Sequence, residues 1–403
     1  MKLRDLTGWL AVIICTSLAV GVAAPLAISA DFGGDGKHDI LWRQNGTGIM
    51  TVWNMNGGSI ASAQGGFSAP SDWPVLATAD FNGDGKADIL LRQVSTGITS
   101  IWLMNGGTIQ SAVGGWNVPT DWVVQAAGDF DGDGKADILW RQNGTGIVTL
   151  WLMNGGTIKS AVGGWSVPSD WVLQAVGDFN GDGKADVLWR QTATGITSIW
   201  LLNGGTITSA VGGWTVPTDW VVRAVGDFNG DGKADILWRQ VSTGAGTVWL
   251  MNGGTVQSAA GGWTVPADWA VQMVTDFDGD GKADILWRQN GTGITSIWLM
   301  NGGTVQSAVG GWSVGVDWGI QTPGPTGLTL AWQDNSGGSE SGFKVERSLD
   351  GSTNWTEIGS TGPNVATYQD MGLAPSTTYY YRVRAYTSTG TSTYSNTTGA
   401  TTP

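Results

Sequence analysis

Six times along the chain, at a constant spacing of 49 residues, an aspartate opens a nine-residue phrase in which carboxylates and amides are crowded together. The groups are Asp31, Asp35, Lys37 and Asp39; Asp80, Asn82, Asp84, Lys86 and Asp88; Asp129, Asp131, Asp133, Lys135 and Asp137; Asp178, Asn180, Asp182, Lys184 and Asp186; Asp227, Asn229, Asp231, Lys233 and Asp235; and Asp276, Asp278, Asp280, Lys282 and Asp284. Oxygen-bearing side chains stand at the first, third, fifth and ninth positions. Glycine at the sixth permits a sharp bend, and the seventh residue, always lysine, can contribute its backbone carbonyl. That spacing curls a chain around a hard cation. An all-oxygen donor set disfavours zinc and copper, and magnesium prefers a tighter octahedron that keeps its waters, so calcium is expected, up to six ions, one per loop. The competing possibility is a metal-free turn whose Asp side chains bond nearby amides, but three or four carboxylates within nine residues repel one another unless a cation neutralises them.

The loop is not a full EF-hand. Its twelfth position is Leu91 in one copy and Trp in the others, so no bidentate Glu closes the shell and the ninth-position Asp must do so. The copies also differ at the third position. Asp131 and Asp278 add a fourth acid there, while Gly33 offers no ligand. Ligand charge then predicts tightest binding at 129–137 and 276–284 and weakest at 31–39.

Other chemistry is poorly supplied. The chain has one Cys, one His and three Glu, none of the latter before residue 340. No singular pair of carboxylates stands out for acid–base work, and His38 reads as a replacement of the usual loop Ala. No catalytic residue is expected. Arg43, Arg92, Arg141, Arg190, Arg239 and Arg288 recur with the repeat and read as framework residues, pairing with loop acids or with the Asp of the Asp-Trp pairs. A net charge of −13 repels a phosphate backbone, which argues against nucleic acid as a partner. Among 25 Trp most read as core, but Trp116, Trp165, Trp214, Trp263 and Trp312 each follow Gly-Gly in an expected loop. There an indole can stack on a sugar ring, which makes these five the candidate ligand-binding residues.

The elements that hold these groups follow from the repeat. In the third copy, Trp122 to Gly128 is an apolar run entering the acidic loop and Ile138 to Gln142 leaves it. Asn143-Gly144 signals a hairpin into Ile147 to Met153, and Asn154-Gly155-Gly156 turns the chain into Thr157 to Val162. Four short strands per unit and a period in the forties predict a six-bladed β-propeller over 31–322. Asp317 to Gln321 repeats the first-strand pattern after the last loop, and is expected to complete the opening blade and close the ring. Upstream, Lys2 and Arg4 precede an uncharged apolar stretch from Leu6 to Ala30, a signal peptide with cleavage after Ala24 or Ala30. A secreted monomer is therefore expected, with a membrane contact only if that segment is retained. Pro323-Gly324-Pro325 breaks the pattern, and alternating stretches at 327–333, 342–348, 355–359, 378–386 and 392–398 predict an immunoglobulin-like sandwich over 323–403.

The phrase Asp-Phe-Asn-Gly-Asp-Gly-Lys-Ala-Asp-Ile-Leu, with a short strand before it and an aromatic strand after, resembles the FG-GAP/VCBS repeat family, the calcium-loop blades of integrin α-subunits and many secreted bacterial proteins. The resemblance spans about residues 26 to 322. It implies that the loop joins a blade's first two strands and that its Asp and Asn residues bind calcium. Leu373 to Ala385, with Trp332 upstream, resembles the fibronectin type III family, which makes Tyr379 a tyrosine corner. Together these imply a secreted recognition or adhesion module. Carbohydrate is the expected ligand; the alternatives are a protein-binding adhesin or matrix component and a non-catalytic accessory of a polysaccharide-active enzyme.

Overall fold

A computed structural model describes residues 31–401 apart from 144, 169, 192–193, 316, 322–325, 335–338, 364–366 and 374–377. The expected signal peptide lies outside the described residues. Among these residues every regular element is a strand. The chain divides into two compact units, the first running to Arg141 and again from Gly146 to Pro325, the second including the chain from Thr326.

The first unit is six four-stranded sheets. Blade 3 shows the pattern, with an inner strand Trp122–Gly128, a second Asp137–Gln142, a third Ile147–Asn154 and an outer Thr157–Ser166. The inner strand is buried along almost its whole length, as its continuous apolar run requires. The third strand buries Val148, Leu150 and Met153 and leaves alternate positions half-exposed. Blade 2 is Val75–Ala79, Asp88–Arg92, Ile98–Asn105 and Thr108–Asn117; blade 4 is Trp171–Gly177, Asp186–Gln191, Ile196–Asn203 and Thr206–Thr215. Blade 5 is Trp220–Gly226, Asp235–Gln240, Ala245–Asn252 and Thr255–Thr264, and blade 6 is Trp269–Thr275, Asp284–Gln289, Ile294–Asn301 and Thr304–Ser313.

Blade 1 takes Ile40–Gln44, Ile49–Asn56 and Ser59–Ser68 from the start of the ring and Trp318–Ile320 from its end. Trp42 pairs with Ile320 and Gln44 with Trp318, so the two ends of the repeat share one sheet, as the surplus first strand predicted. Each of the six blades thus has its inner strand.

The outer strands run four residues further than the sequence suggested. Gly163-Gly164 is a bulge rather than a turn: Val148 pairs with Trp165 and Thr149 with Gly163, so Gly164 is left over. Both glycines have φ near +90°, a backbone state open to glycine at little cost. The bulge returns Trp165 to the sheet, and the equivalent Trp116, Trp214, Trp263 and Trp312 also lie within outer strands. They were expected in loops.

In the second unit Thr326–Ala331 pairs with Thr367–Leu373, and Gly342–Ser348 lies between Thr356–Ser360 and Thr378–Thr387, which also pairs with Gly390–Thr391 and Thr398–Thr401. This is a β-sandwich. Thr367–Leu373 was missing from the sequence reading, whereas residues 392–397, read as strand, form no ladder. There Ser392 and Ser395 hydroxyls take the Ala385 and Val383 amides instead. Tyr381 is fully buried and donates to Asp370 at 2.8 Å, and Asp370 in turn receives Arg347 at 2.9 Å on both oxygens. Tyr379 is buried with the Arg347 guanidinium over its ring; residues 374–377, just upstream of this expected corner, lie outside the described residues.

Candidate metal centre

In blades 2 to 6 the acidic loop joins the inner to the second strand, and in blade 1 it leads into the second strand alone; the first and ninth aspartates are fixed by backbone amides. In blade 3, Asp129 Oδ1 accepts from Gly132 at 2.6 Å and Asp133 at 3.2 Å, and its Oδ2 accepts from Gly134 at 2.8 Å. Asp137 opens the second strand, fully buried. Its Oδ2 accepts from Phe130 at 2.9 Å and its Oδ1 from Met153, on the neighbouring third strand, at 2.8 Å. Phe130 and its five equivalents are wholly buried and anchor the loop to the core.

These bonds bring acids together. One carboxylate oxygen from each of Asp129, Asp131 and Asp137 lies within 4.8 Å of the others, and the same holds for Asp276, Asp278 and Asp284. Asp129 Oδ2 and both oxygens of Asp137 accept one bond each and so keep a further lone-pair direction for a cation. The fifth-position acid lies outside that group: Asp133 accepts from the Lys135 amide at 3.1 Å. In blades 2, 4 and 5 the third position is Asn82, Asn180 or Asn229, whose side-chain oxygens accept the amides of Asp84, Asp182 and Asp231 at 2.8, 2.8 and 2.9 Å. In blade 1, Gly33 supplies only its amide, to Asp39 at 3.1 Å.

The ninth-position carboxyls are electrostatically uncomfortable. Burial pushes Asp39 up to about 6 and Asp88, Asp137, Asp186, Asp235 and Asp284 up to about 7. Two or three backbone donors oppose the shift in each case, and neighbouring loop acids add to it. A buried carboxyl that is costly to ionise beside other carboxylates suits a hard dication, which would relieve both terms. The donor set therefore fits calcium.

The loops also make the seams between blades, which the sequence did not reveal. The eighth-position amide of each loop donates to the first-position carbonyl of the preceding one: Ala87 to Asp31, Ala136 to Asp80, Ala185 to Asp129, Ala234 to Asp178 and Ala283 to Asp227, at 2.6–2.7 Å. His38 closes the cycle onto Asp276 at 3.1 Å. Gly155 bonds the Phe81 carbonyl at 2.9 Å, with equivalents around the ring through Gly57 to Phe277. A cation in any loop would thus brace two blades.

At the second strand, the repeated arginines were expected to meet acids and instead hold carbonyls. Arg141 donates through Nη1 to Trp171 at 2.7 Å and through Nη2 to Val167 and Pro168 at 3.0 and 2.9 Å. Arg43, Arg92, Arg190, Arg239 and Arg288 do the same at their own positions. The Asp of the Asp-Trp pair takes a glutamine instead, as Gln191 to Asp170 at 2.7 Å and Gln289 to Asp268 at 2.7 Å. The reason is geometric: the crossover to the next blade leaves three carbonyls without ladder partners, and a planar guanidinium can serve them together.

The five candidate indoles are half-buried. Each meets the third-strand Trp of the next blade edge-on: Trp116 with Trp151, Trp165 with Trp200, Trp214 with Trp249, Trp263 with Trp298 and Trp312 with Trp53, at centroid separations of 5.4–6.4 Å. They are seam residues first, with part of each ring left at the surface.

The FG-GAP-like repeat model matches residues 31–91, 129–189, 178–238 and 227–287, more than half of the chain, and the fibronectin type III domain model matches 318–401. Both describe modules of the binding or adhesion type. No curated protein matches the sequence significantly. Among solved structures, dihydro-heme d1 dehydrogenase NirN in complex with DHE aligns over 95% of this chain and 78% of its own at 10% identity. The TM-score is 0.36, a likeness too loose to carry an inference.

Proposed function

The chain belongs to the FG-GAP-like repeat family and carries a fibronectin type III domain after its repeats, and from that premise we propose that it is a secreted, calcium-braced recognition ring without catalytic function. The observation that carries this reading is the position of the acid clusters. They sit in the hydrogen-bonded cycle that joins blade to blade, where a dication neutralises buried carboxyls and ties the ring at once. Architecture comes first, and recognition is built on it.

The ligand class best suited to the surface is carbohydrate. Repeated half-buried indoles lie on outer strands whose exposed positions are mostly Thr, Ser, Gln, Ala and Gly, an uncharged surface on which the Thr, Ser and Gln side chains can hydrogen-bond hydroxyls, and repetition gives weak sites avidity. A protein-binding adhesin is the second reading, favoured by the use of one edge of each indole in the seam and by the fibronectin-type module. Thermal unfolding with calcium and with EDTA tests the premise: ligand at one hundred times its dissociation constant adds about 2.7 kcal/mol per site, so chelation must lower the melting temperature markedly. Coincident curves would refute it. Glycan-array binding that falls for a folded Trp165→Ala variant supports carbohydrate; capture of one defined protein with no glycan signal supports the adhesin.

A further inference from the structure

The six loops are near copies, but one is met by a lysine from outside the loop. Lys159, on the outer strand of blade 3, places Nζ 3.0 Å from Asp131 Oδ2 and 3.3 Å from Asp133 Oδ2. It thus bridges the third- and fifth-position acids of loop 129–137. The loop's own lysine is turned aside, Lys135 donating to Asn154 at 2.8 Å. At the same register the other blades carry Ala61, Gln110, Thr208, Gln257 and Gln306, none of them charged. Loop 276–284 has the same four acids. There Lys282 reaches Asp280 at 3.0 Å, and Asp278 makes no ion pair among the described residues.

We propose that Lys159 is a tethered counter-ion that competes with calcium at loop 129–137. It would make that loop the weaker, exchangeable member of the four-acid pair and hold its seam together when the metal is absent. The inference rests on the calcium reading above. It also revises the ranking from ligand charge alone, which placed the two four-acid loops together. A calcium ion approaching Asp131 and Asp133 meets an ammonium already paired with both. Because the lysine side chain is about half exposed, it can swing into water when the metal binds. The competition is therefore partial and reversible.

Calorimetric titration of the full chain with calcium chloride, together with melting in EDTA, tests this with two reciprocal variants. Lys159→Gln installs the residue of blades 2, 5 and 6 and should tighten one site by about threefold to tenfold, the range open to a half-exposed ion pair. In EDTA the same variant should melt below the parent, because Asp131 and Asp133 have lost the one cation that pairs with them among the described residues. Gln306→Lys stands at the matching place beside loop 276–284 and should weaken one site by a similar factor. Lys159→Arg should behave as the parent. If the parent binds calcium and both reciprocal variants give its isotherm and its EDTA melting point, the counter-ion role is refuted while the calcium reading survives. A parent that takes up no calcium overturns both.

Discussion

Arg141→Met removes a guanidinium while keeping most of its apolar stem, and its cost can be worked from the geometry. Three charge-assisted bonds to the carbonyls of Val167, Pro168 and Trp171 contribute roughly 1.5–3 kcal/mol each. The Cζ atom stands 5.6 Å from the Trp189 ring centroid, adding about 1 kcal/mol. Against this stands desolvation, which lowers the Arg141 pKa to about 10, an opposing cost of about 3 kcal/mol. Two of the three carbonyl contacts are only part-buried, so water rescues some of the loss and the net destabilisation should be about 3–5 kcal/mol. The assay is guanidinium unfolding in saturating calcium, which keeps the loops out of the comparison. Arg43→Met is the internal control. Its neighbour at the Trp189 position is Leu91, so no ring lies under it, and its loss should be smaller by about 1 kcal/mol. A loss below about 1 kcal/mol for Arg141→Met, within the range of a surface charge, would refute the view that these arginines hold the crossovers.

Three further outcomes follow from the loops and the inner strands. In EDTA the chain should melt higher at pH 5 than at pH 7.5: the ninth-position acids have folded pKa values raised to about 6 or 7, so their contribution is fully present below the unfolded value of 3.8 and lost as pH rises through the folded one. Calcium, which needs the ionised form, should remove or reverse that order, and titration calorimetry should show affinity rising with pH. Gly33→Asp should tighten the first loop by about tenfold through added ligand charge; a Cβ there meets only Asp31 and Asp39 oxygens at 3.7 and 3.8 Å, and an unchanged isotherm would refute the ranking by charge. Arg223→Gln should raise stability by about 1–2 kcal/mol in denaturant unfolding, because Arg223 has its Nε buried without a partner and burial, with Arg239 nearby, lowers its pKa to about 10, where Gln125, Gln174, Gln272 and Gln321 stand in other blades.

The period of the repeat, the acidic phrase and the surplus strand at 317–321 sufficed for a closed six-bladed ring, because each is a local signal that recurs. What stayed hidden depends on pairs far apart in sequence. Gly163-Gly164 carries the composition of a turn, and only the partner strand decides that it is a bulge that returns Trp165 to the sheet. Arg141 and Asp170 look like an ion pair on paper, but the crossover places three carbonyls within reach of the guanidinium, and the aspartate goes to Gln191. Lys159 was legible as the odd cation of its register; that it reaches two loop acids 28 and 26 residues away follows only from the outer strand running back alongside the loop. In the sandwich, Thr367–Leu373 was missed because its Gln, Asp and Gly dilute the strand pattern, although Asp370 is buried by its bonds to Arg347 and Tyr381.

Sixfold repetition makes the exceptions informative. A contact made six times must serve what all six positions share, which in a ring is the seam. The loop amides, the guanidinium on three carbonyls and the edge-on indoles all cross from one blade toward the next. Anything that gives this ring a preferred orientation toward a partner, or one metal site that exchanges while the others stay filled, must come from residues that break the pattern. Beyond the exchange of Asn for Asp at the third loop position, the charged or ligand-altering breaks among the described residues of the ring are few: Gly33 and His38 in the first loop, Lys159 beside the third, and Arg223 on the fifth inner strand. Two of them, Gly33 and Lys159, act on the acid clusters in the same direction, one by withholding a ligand and the other by supplying a rival cation. They lie in blades 1 and 3, so that loop 276–284, with four acids and no cation on Asp278, is the site expected to hold calcium longest as the concentration falls.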